Sequence, residues 1–132
     1  MDVEKIFEKV SQVIRESCDI EFSEIKLSHT LFDELAIDSI DLVDILFELE
    51  TEYDISLKIS DIGKQAKLLL GPDVEYEVDG VITKEGLEVL KSYMTEIPSE
   101  NFKQGLSVYD LIKLFTVESL CKLIQKKLSE TK

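Results

Sequence analysis

A chain of 132 residues, 44% hydrophobic and 33% charged, is long enough to bury one core without disulfide or metal staples, so a single domain over 1–132 is expected. Its formal net charge of −13, from 28 acidic against 15 basic residues, argues against nucleic acid or an anionic membrane as partner. The two cysteines, Cys18 and Cys121, lie far apart near helical apolar faces; small buried hydrophobes are expected rather than a disulfide, and with them a reduced, cytoplasmic setting.

The first helix is read from Val3, Ile6, Phe7, Val10, Val13 and Ile14, an i, i+3, i+4 stripe ending near Ser17. Asp2, Glu4 and Glu8 stand where a signal peptide would need basic residues, and no apolar run approaches membrane-spanning length. The segment from Cys18 to Ile37 has no sustained period. Ile20, Phe22, Ile25, Leu27, Leu31, Phe32 and Leu35 are its anchors to a core, and His29, beside Ser28 and Thr30, reads as a loop residue.

Asp38-Ser39-Ile40-Asp41 then opens a second helix running to about Tyr53. Asp38 suits an N-cap and Asp41 can close a capping box. Ile40, Val43, Leu46 and Phe47 recur at helical spacing, and Leu42, Ile45 and Leu49 widen the apolar face. Ser39 therefore lies in the first turn, where free N–H groups and the helix dipole favour an anion by roughly 0.3–1 kcal/mol. A catalytic serine would need an activating base, yet His29 is the one histidine and no G-x-S-x-G turn surrounds Ser39. From Asp38 to Leu57 there are seven acidic residues and no Lys or Arg. A run of one sign beside Ser39 reads as a docking surface for basic patches.

Ser60-Asp61 opens a further helical stretch that Leu68-Leu69-Leu70 closes before Gly71-Pro72. Val74 to Val78 alternates, Asp79-Gly80 supplies a type I' turn and Val81-Ile82-Thr83 returns, which predicts a β-hairpin. Glu75, Glu77, Asp79, Gly80, Ile82 and Thr83 also fit the start of a calcium loop, but its closing glutamate is replaced by Gly86 and its first ligand is the longer Glu75. A plain hairpin and no metal site are expected. Leu87, Leu90 and Met94 mark another helix, ending before Ile97-Pro98. Val108 to Leu114 predicts a short helix. Thr116 is the N-cap of the last one, whose stripe is Val117, Leu120, Leu123, Ile124 and Leu128.

Leu31-Phe32-Asp33-Glu34-Leu35-Ala36-Ile37 followed by Asp38-Ser39-Ile40-Asp41, with Phe115-Thr116-Val117-Glu118-Ser119-Leu120 near the C-terminus, resembles the acyl carrier proteins. The resemblance covers roughly 1–59 and 105–132. Both Ile59-Ser60-Asp61 and Ile97-Pro98-Ser99-Glu100 resemble the approach to that family's third helix. It implies an all-α fold, an acyl-carrier-protein-like four-helix bundle, here with an inserted segment at about 60–104 containing a helix and a short β-hairpin.

It also implies a carrier rather than an enzyme. A phosphopantetheinyl transferase would place the 4'-phosphopantetheine of coenzyme A on Ser39, next to Asp38, and the arm's thiol would hold an acyl group as a thioester. Asp41, Asp44, Glu48 and Glu52 would dock acyl-transferring or acyl-elongating enzymes through their basic patches. Val43, Leu46 and Phe47 would line an acyl pocket, since each buried methylene of the cargo gains about 0.8 kcal/mol. A cytoplasmic monomer without nucleic-acid partner or membrane span is expected, serving fatty-acid or specialised lipid synthesis such as lipopolysaccharide assembly. The rival reading is an unmodified acidic helical adaptor for basic proteins, with weak metal binding in the insert.

Overall fold

The computed structural model describes residues 2–18, 25–58 and 60–130, without the side chains of Cys18 and Ser39. The anchors expected at Ile20 and Phe22, the approach residue Ile59 and the burial expected for Cys18 lie outside what is described. Contacts divide the chain into two compact units, Met1–Lys58 with Phe115–Lys132, and Ile59–Leu114. The insert expected at about 60–104 falls within the second.

In the first unit α1 (Val3–Cys18) packs on α2 (Ser39–Tyr53) and α6 (Val117–Glu130). The α1 stripe works as its spacing demands: Ile6, Val10, Val13 and Ile14 are buried, and Val3 and Phe7 are half-buried at its edge. Leu42, Ile45, Leu46 and Leu49 of α2 and Val117, Leu120, Cys121, Leu123 and Ile124 of α6 are buried too, in the helices that pack on α1. Each fully buried aliphatic side chain contributes about 1.5–3 kcal/mol, so this shared core rather than helix propensity holds the unit. Thr116 caps α6 in a reciprocal box: its Oγ1 accepts the Ser119 N–H at 3.1 Å, and Ser119 Oγ accepts the Thr116 N–H at 3.1 Å.

The segment before α2 has little regular structure, yet it is tied down. The Leu31 N–H donates to Phe115 O at 3.0 Å, the Val117 N–H to His29 O at 3.0 Å and the Glu118 N–H to Leu27 O at 3.0 Å. Ile25, Leu31, Leu35 and Ile37 are buried beneath these bonds. His29 is a loop residue whose Nδ1 accepts the Lys26 N–H at 3.2 Å.

The second unit is built on α3 (Asp61–Leu70) packed against α4 (Lys84–Tyr93), with the hairpin of β1 (Glu77–Val78) and β2 (Val81–Ile82) between them in sequence. The strands are antiparallel with Glu77 opposite Ile82 and Val78 opposite Val81. Asp79 and Gly80 both have positive φ, at 52° and 83°, as a type I' turn requires. The paired strands are two residues each, shorter than the alternating run suggested, and the chain from Leu106 to Val108 lies along the other edge of β2: the Ile82 N–H donates to Leu106 O and the Val108 N–H to Gly80 O, both at 2.9 Å. Ile62, Ala66, Tyr76, Ile82, Leu87, Leu90, Met94, Ile97, Phe102 and Leu111 form the core of this unit. The short helix expected over Val108 to Leu114 is α5 (Val108–Leu111), continued by a 3-10 turn over Ile112–Leu114, and it belongs to the second unit. Of the two places resembling the approach to a third helix, Ser60 precedes the ten-residue α3, and Ser99–Asn101 is a single 3-10 turn. The fold is thus helical, with the small hairpin of the insert as its one sheet among the described residues.

Candidate functional site

The site begins where the tethered loop ends. Thr30 Oγ1 accepts the Glu34 N–H at 3.0 Å and Glu34 Oε1 accepts the Thr30 N–H at 3.1 Å, closing a turn over Leu31 to Glu34. Ala36 then takes a left-handed conformation, φ 54°, and the Ile37 N–H donates to Leu31 O at 2.9 Å. Together these swing the chain into α2 at a fixed angle, with Asp38 extended as its N-cap. Asp38 Oδ1 accepts the Asp41 N–H at 2.7 Å, and the Leu42 N–H reaches Asp38 O at 3.0 Å. Ser39 is the first residue of α2.

Asp38 is exposed and Ile40 is 73% exposed, so the helix start lies at the surface. A helix start flanked by exposed Asp38 and Ile40, at the positive end of a fifteen-residue helix, favours an anion.

The structure separates the three residues expected to line a pocket. Leu46 is buried, but Val43 is 61% and Phe47 67% exposed. The wide apolar face of α2 is two stripes on different sides. Leu42, Ile45, Leu46 and Leu49 face the core, while Ile40, Val43 and Phe47, also at i, i+3, i+7, face outward. Periodicity alone could not tell them apart, because both stripes obey it.

Of the expected docking acids, Asp44 and Glu48 are exposed beside the outward apolar stripe and Asp41 is half-buried in the first turn. Glu52 is drawn instead into an ion pair with Lys9 of α1, at 3.2 Å. Glu50, which sequence reasoning did not single out, accepts the Leu57 N–H through Oε2 at 3.1 Å and so fastens the chain leaving α2. Asp54 ends the helix in a left-handed conformation, its N–H on Glu50 O.

Cys121 is free and fully buried in α6, and burial, with Glu118 nearby, pushes its thiol up to about 12. It stays protonated and shielded, unsuited to hold an acyl group. Among the described residues no cluster of three or more His, Cys, Asp or Glu is placed to hold a metal ion, and no helix is long and apolar enough to cross a membrane.

Residues 8–66, which span Ser39 and the whole of α2, match the phosphopantetheine attachment site family. The chain is 36% identical to an acyl carrier protein of Clostridium acetobutylicum over 64 residues, 44% of this chain and 83% of that protein. It is 34% identical to an acyl carrier protein of Thermotoga maritima over 61 residues, 46% of this chain and 75% of the relative. A longer match, 28% identical over 97 residues, 74% of this chain and 90% of the relative, is to the acyl carrier protein AcpXL of Rhizobium meliloti. No solved structure matches the chain.

An acidic helix that opens at Ser39, directly after an exposed cap, fits the class of carriers rather than of catalysts. The chain belongs to the acyl carrier protein family, and its prosthetic group is a covalently attached 4'-phosphopantetheine. That group supplies the thiol on which an acyl chain is held as a thioester. The protein's own residues anchor the arm, present it to acyl-handling enzymes and a phosphopantetheinyl transferase, and keep Cys121 out of the chemistry.

Proposed function

We propose that Ser39 is the attachment point and that the outward face of α2 is the surface partner enzymes read. The observation that carries this is the Asp38 cap: its bond to the Asp41 N–H fixes the first turn of α2 at the surface, with Ser39 directly after the cap. In this reading the docking surface joins the exposed apolar stripe Ile40, Val43 and Phe47 to the charges of Asp41, Asp44 and Glu48. Apolar contact supplies affinity and the acids steer basic partners. Leu46 contributes to the core, and Glu52 mainly ties α2 to Lys9.

The chain is proposed to act as a cytoplasmic monomer in fatty-acid synthesis or in a specialised lipid pathway such as lipopolysaccharide assembly. Its second unit, Ile59–Leu114, favours a dedicated pathway, since a general carrier has no need of an extra folded surface. The direct test is intact mass after incubation with coenzyme A and a phosphopantetheinyl transferase. One arm is expected on the native chain, mapping to Ser39, and none on Ser39→Ala. A loaded alanine variant would remove Ser39 from the assignment. A chain that stays unmodified with several transferases would instead favour the acidic adaptor.

A further inference from the structure

In the sequence Glu34 stands among Asp33, Asp38 and Asp41, where it reads as one more docking charge. Its contacts in the structure are local instead. Glu34 Oε1 accepts the Thr30 N–H at 3.1 Å, Thr30 Oγ1 accepts the Glu34 N–H at 3.0 Å, and the other carboxylate oxygen stands 4.0 Å from His29 Nε2. The Glu34 side chain is 52% exposed, so water competes for these bonds and they add little to overall stability.

The turn that Glu34 closes sits between two anchors. On one side Thr30 forms a bridge with Thr116 and the Leu31 N–H donates to Phe115 O at 3.0 Å, which fixes the turn to the entrance of α6. On the other side the Leu35 N–H reaches Thr30 O at 3.1 Å and the Ile37 N–H reaches Leu31 O at 2.9 Å, with Leu35 and Ile37 both buried. Between them the exposed Ala36 holds φ 54°, a conformation that a residue with a Cβ adopts only at a cost. Such a backbone persists where its surroundings over-determine it. Here both neighbours of Ala36 hang from Thr30 and Leu31, which the Glu34 side chain holds in one turn. Asp38 caps α2 directly beyond, so the same turn fixes how the start of α2 stands relative to the entrance of α6.

We propose that Glu34 is a positioning residue for the loading of Ser39: by closing the turn on Thr30 it holds Ala36 in its left-handed conformation and keeps the start of α2 in the orientation the transferase needs. The inference rests on Ser39 as the attachment point. A group held at the wrong angle reacts slowly even when it binds normally, because alignment rather than affinity is lost. Loss of Glu34 therefore shows in kcat. Loss of a docking charge shows instead in KM and in the dependence on salt.

The test is steady-state loading of the full-length chain by a purified phosphopantetheinyl transferase with coenzyme A, the arm being mapped by mass. Glu34→Ala should lower kcat roughly three- to tenfold while KM for the carrier and its salt dependence stay native. Its melting temperature should move by no more than about 3 °C, as for an exposed position. Glu34→Gln, whose amide oxygen still accepts the Thr30 N–H, should restore kcat. Hydrogen exchange of the Thr30 amide, read on the unloaded chain without any enzyme, should quicken in the alanine variant and recover in the glutamine variant. An unchanged kcat in Glu34→Ala overturns the proposal, as does a kcat loss with native exchange at Thr30. A change confined to KM, or a glutamine variant as slow as the alanine one, also overturns it and makes Glu34 a docking charge. A native chain whose arm maps away from Ser39 overturns the attachment reading itself, and is told apart because the native chain rather than the variant departs from expectation.

Discussion

A Cβ built on Gly86 would stand 2.6 Å from the carbonyl oxygen of Tyr76 and 2.8 Å from Cγ2 of Ile82, closer than side-chain carbons approach either. The first turn of α4 therefore docks on the hairpin through a bare backbone. Thr83 joins the two: its Oγ1 accepts the Gly86 N–H at 3.0 Å and donates to Glu75 O at 2.7 Å, and its own N–H donates to Tyr76 O at 2.9 Å. In the sequence Gly86 falls where a calcium loop would need its last ligand. The position instead requires glycine for close packing.

Gly86→Ala should accordingly destabilise the second unit by about 1–3 kcal/mol, the range for overpacking a buried contact. Denaturant unfolding followed by amide signals of β1, β2 and α4 measures it. A variant as stable as the native chain would mean that the hairpin does not hold α4 in this way.

Asp38 should be worth about 1 kcal/mol as an N-cap, so Asp38→Ala should lower stability by that amount. Asp38→Asn keeps an acceptor for the Asp41 N–H while removing the charge. If the cap presents Ser39 to the transferase, the asparagine variant should load faster than the alanine variant. Equal loading rates would assign Asp38 an electrostatic role alone.

Much of this was legible in the residues because local chemistry and tertiary packing agree. Helix α2 begins at Ser39 because Asp38 caps it, and the hairpin turns at Asp79-Gly80 because both residues accept positive φ. What the residues hid was direction. Val43 and Leu46 both recur at helical spacing, and only the packing of α2 on α1 decides that Leu46 is buried while Val43 faces water. Partner choice was hidden for the same reason: nothing in the sequence binds Glu52 to Lys9, or leaves the Tyr76 hydroxyl without a hydrogen bond among the described residues.

Alkaline pH should expose both buried titratable groups. Burial raises the Cys121 thiol from 9.0 to about 12, and burial, with Glu77 nearby, raises the Tyr76 phenol from 10.0 to about 12. In each case the folded state keeps its proton over a range in which the unfolded state loses it. Their contribution is therefore fully present below the unfolded values and is lost as pH climbs from 9 toward 12. Cys121 alone should cost on the order of 2 kcal/mol of stability by about pH 11. Denaturant midpoints at a series of pH values test this, and Cys121→Ala should flatten the decline in the first unit. A native chain with constant stability across the window would contradict the buried thiol.

Leu46 and Phe47 are neighbours in sequence and should behave oppositely. Leu46→Ala removes a buried side chain and should cost about 2–4 kcal/mol, whereas Phe47→Ala should change stability by no more than about 0.5 kcal/mol. Phe47→Ala should nevertheless slow acyl transfer from partner enzymes by raising KM. If an acyl chain on the arm lost protection in Phe47→Ala but partner kinetics stayed normal, Phe47 would belong to a cargo pocket after all.

The acids of α2 make the last distinction, between a docking face and a merely solvated one. Asp44 and Glu48 are exposed, one turn apart, next to the apolar stripe that begins at Ile40. Exposed charges act through water and are screened over about 8 Å at physiological ionic strength, so a steering role must show in rates and fade with salt. Asp44→Lys and Glu48→Lys should leave folding intact, lower kcat/KM for loading of Ser39 about tenfold at low salt, and converge toward the native rate as salt rises. Glu52→Lys should differ, because it breaks the contact with Lys9 and brings two cations together, lowering stability by about 0.5 kcal/mol or more. Stopped-flow loading at several salt concentrations, set beside thermal melts of the three variants, reads both effects. Loading that is independent of salt and of the reversals at Asp44 and Glu48 would leave the apolar stripe as the sole recognition element of α2.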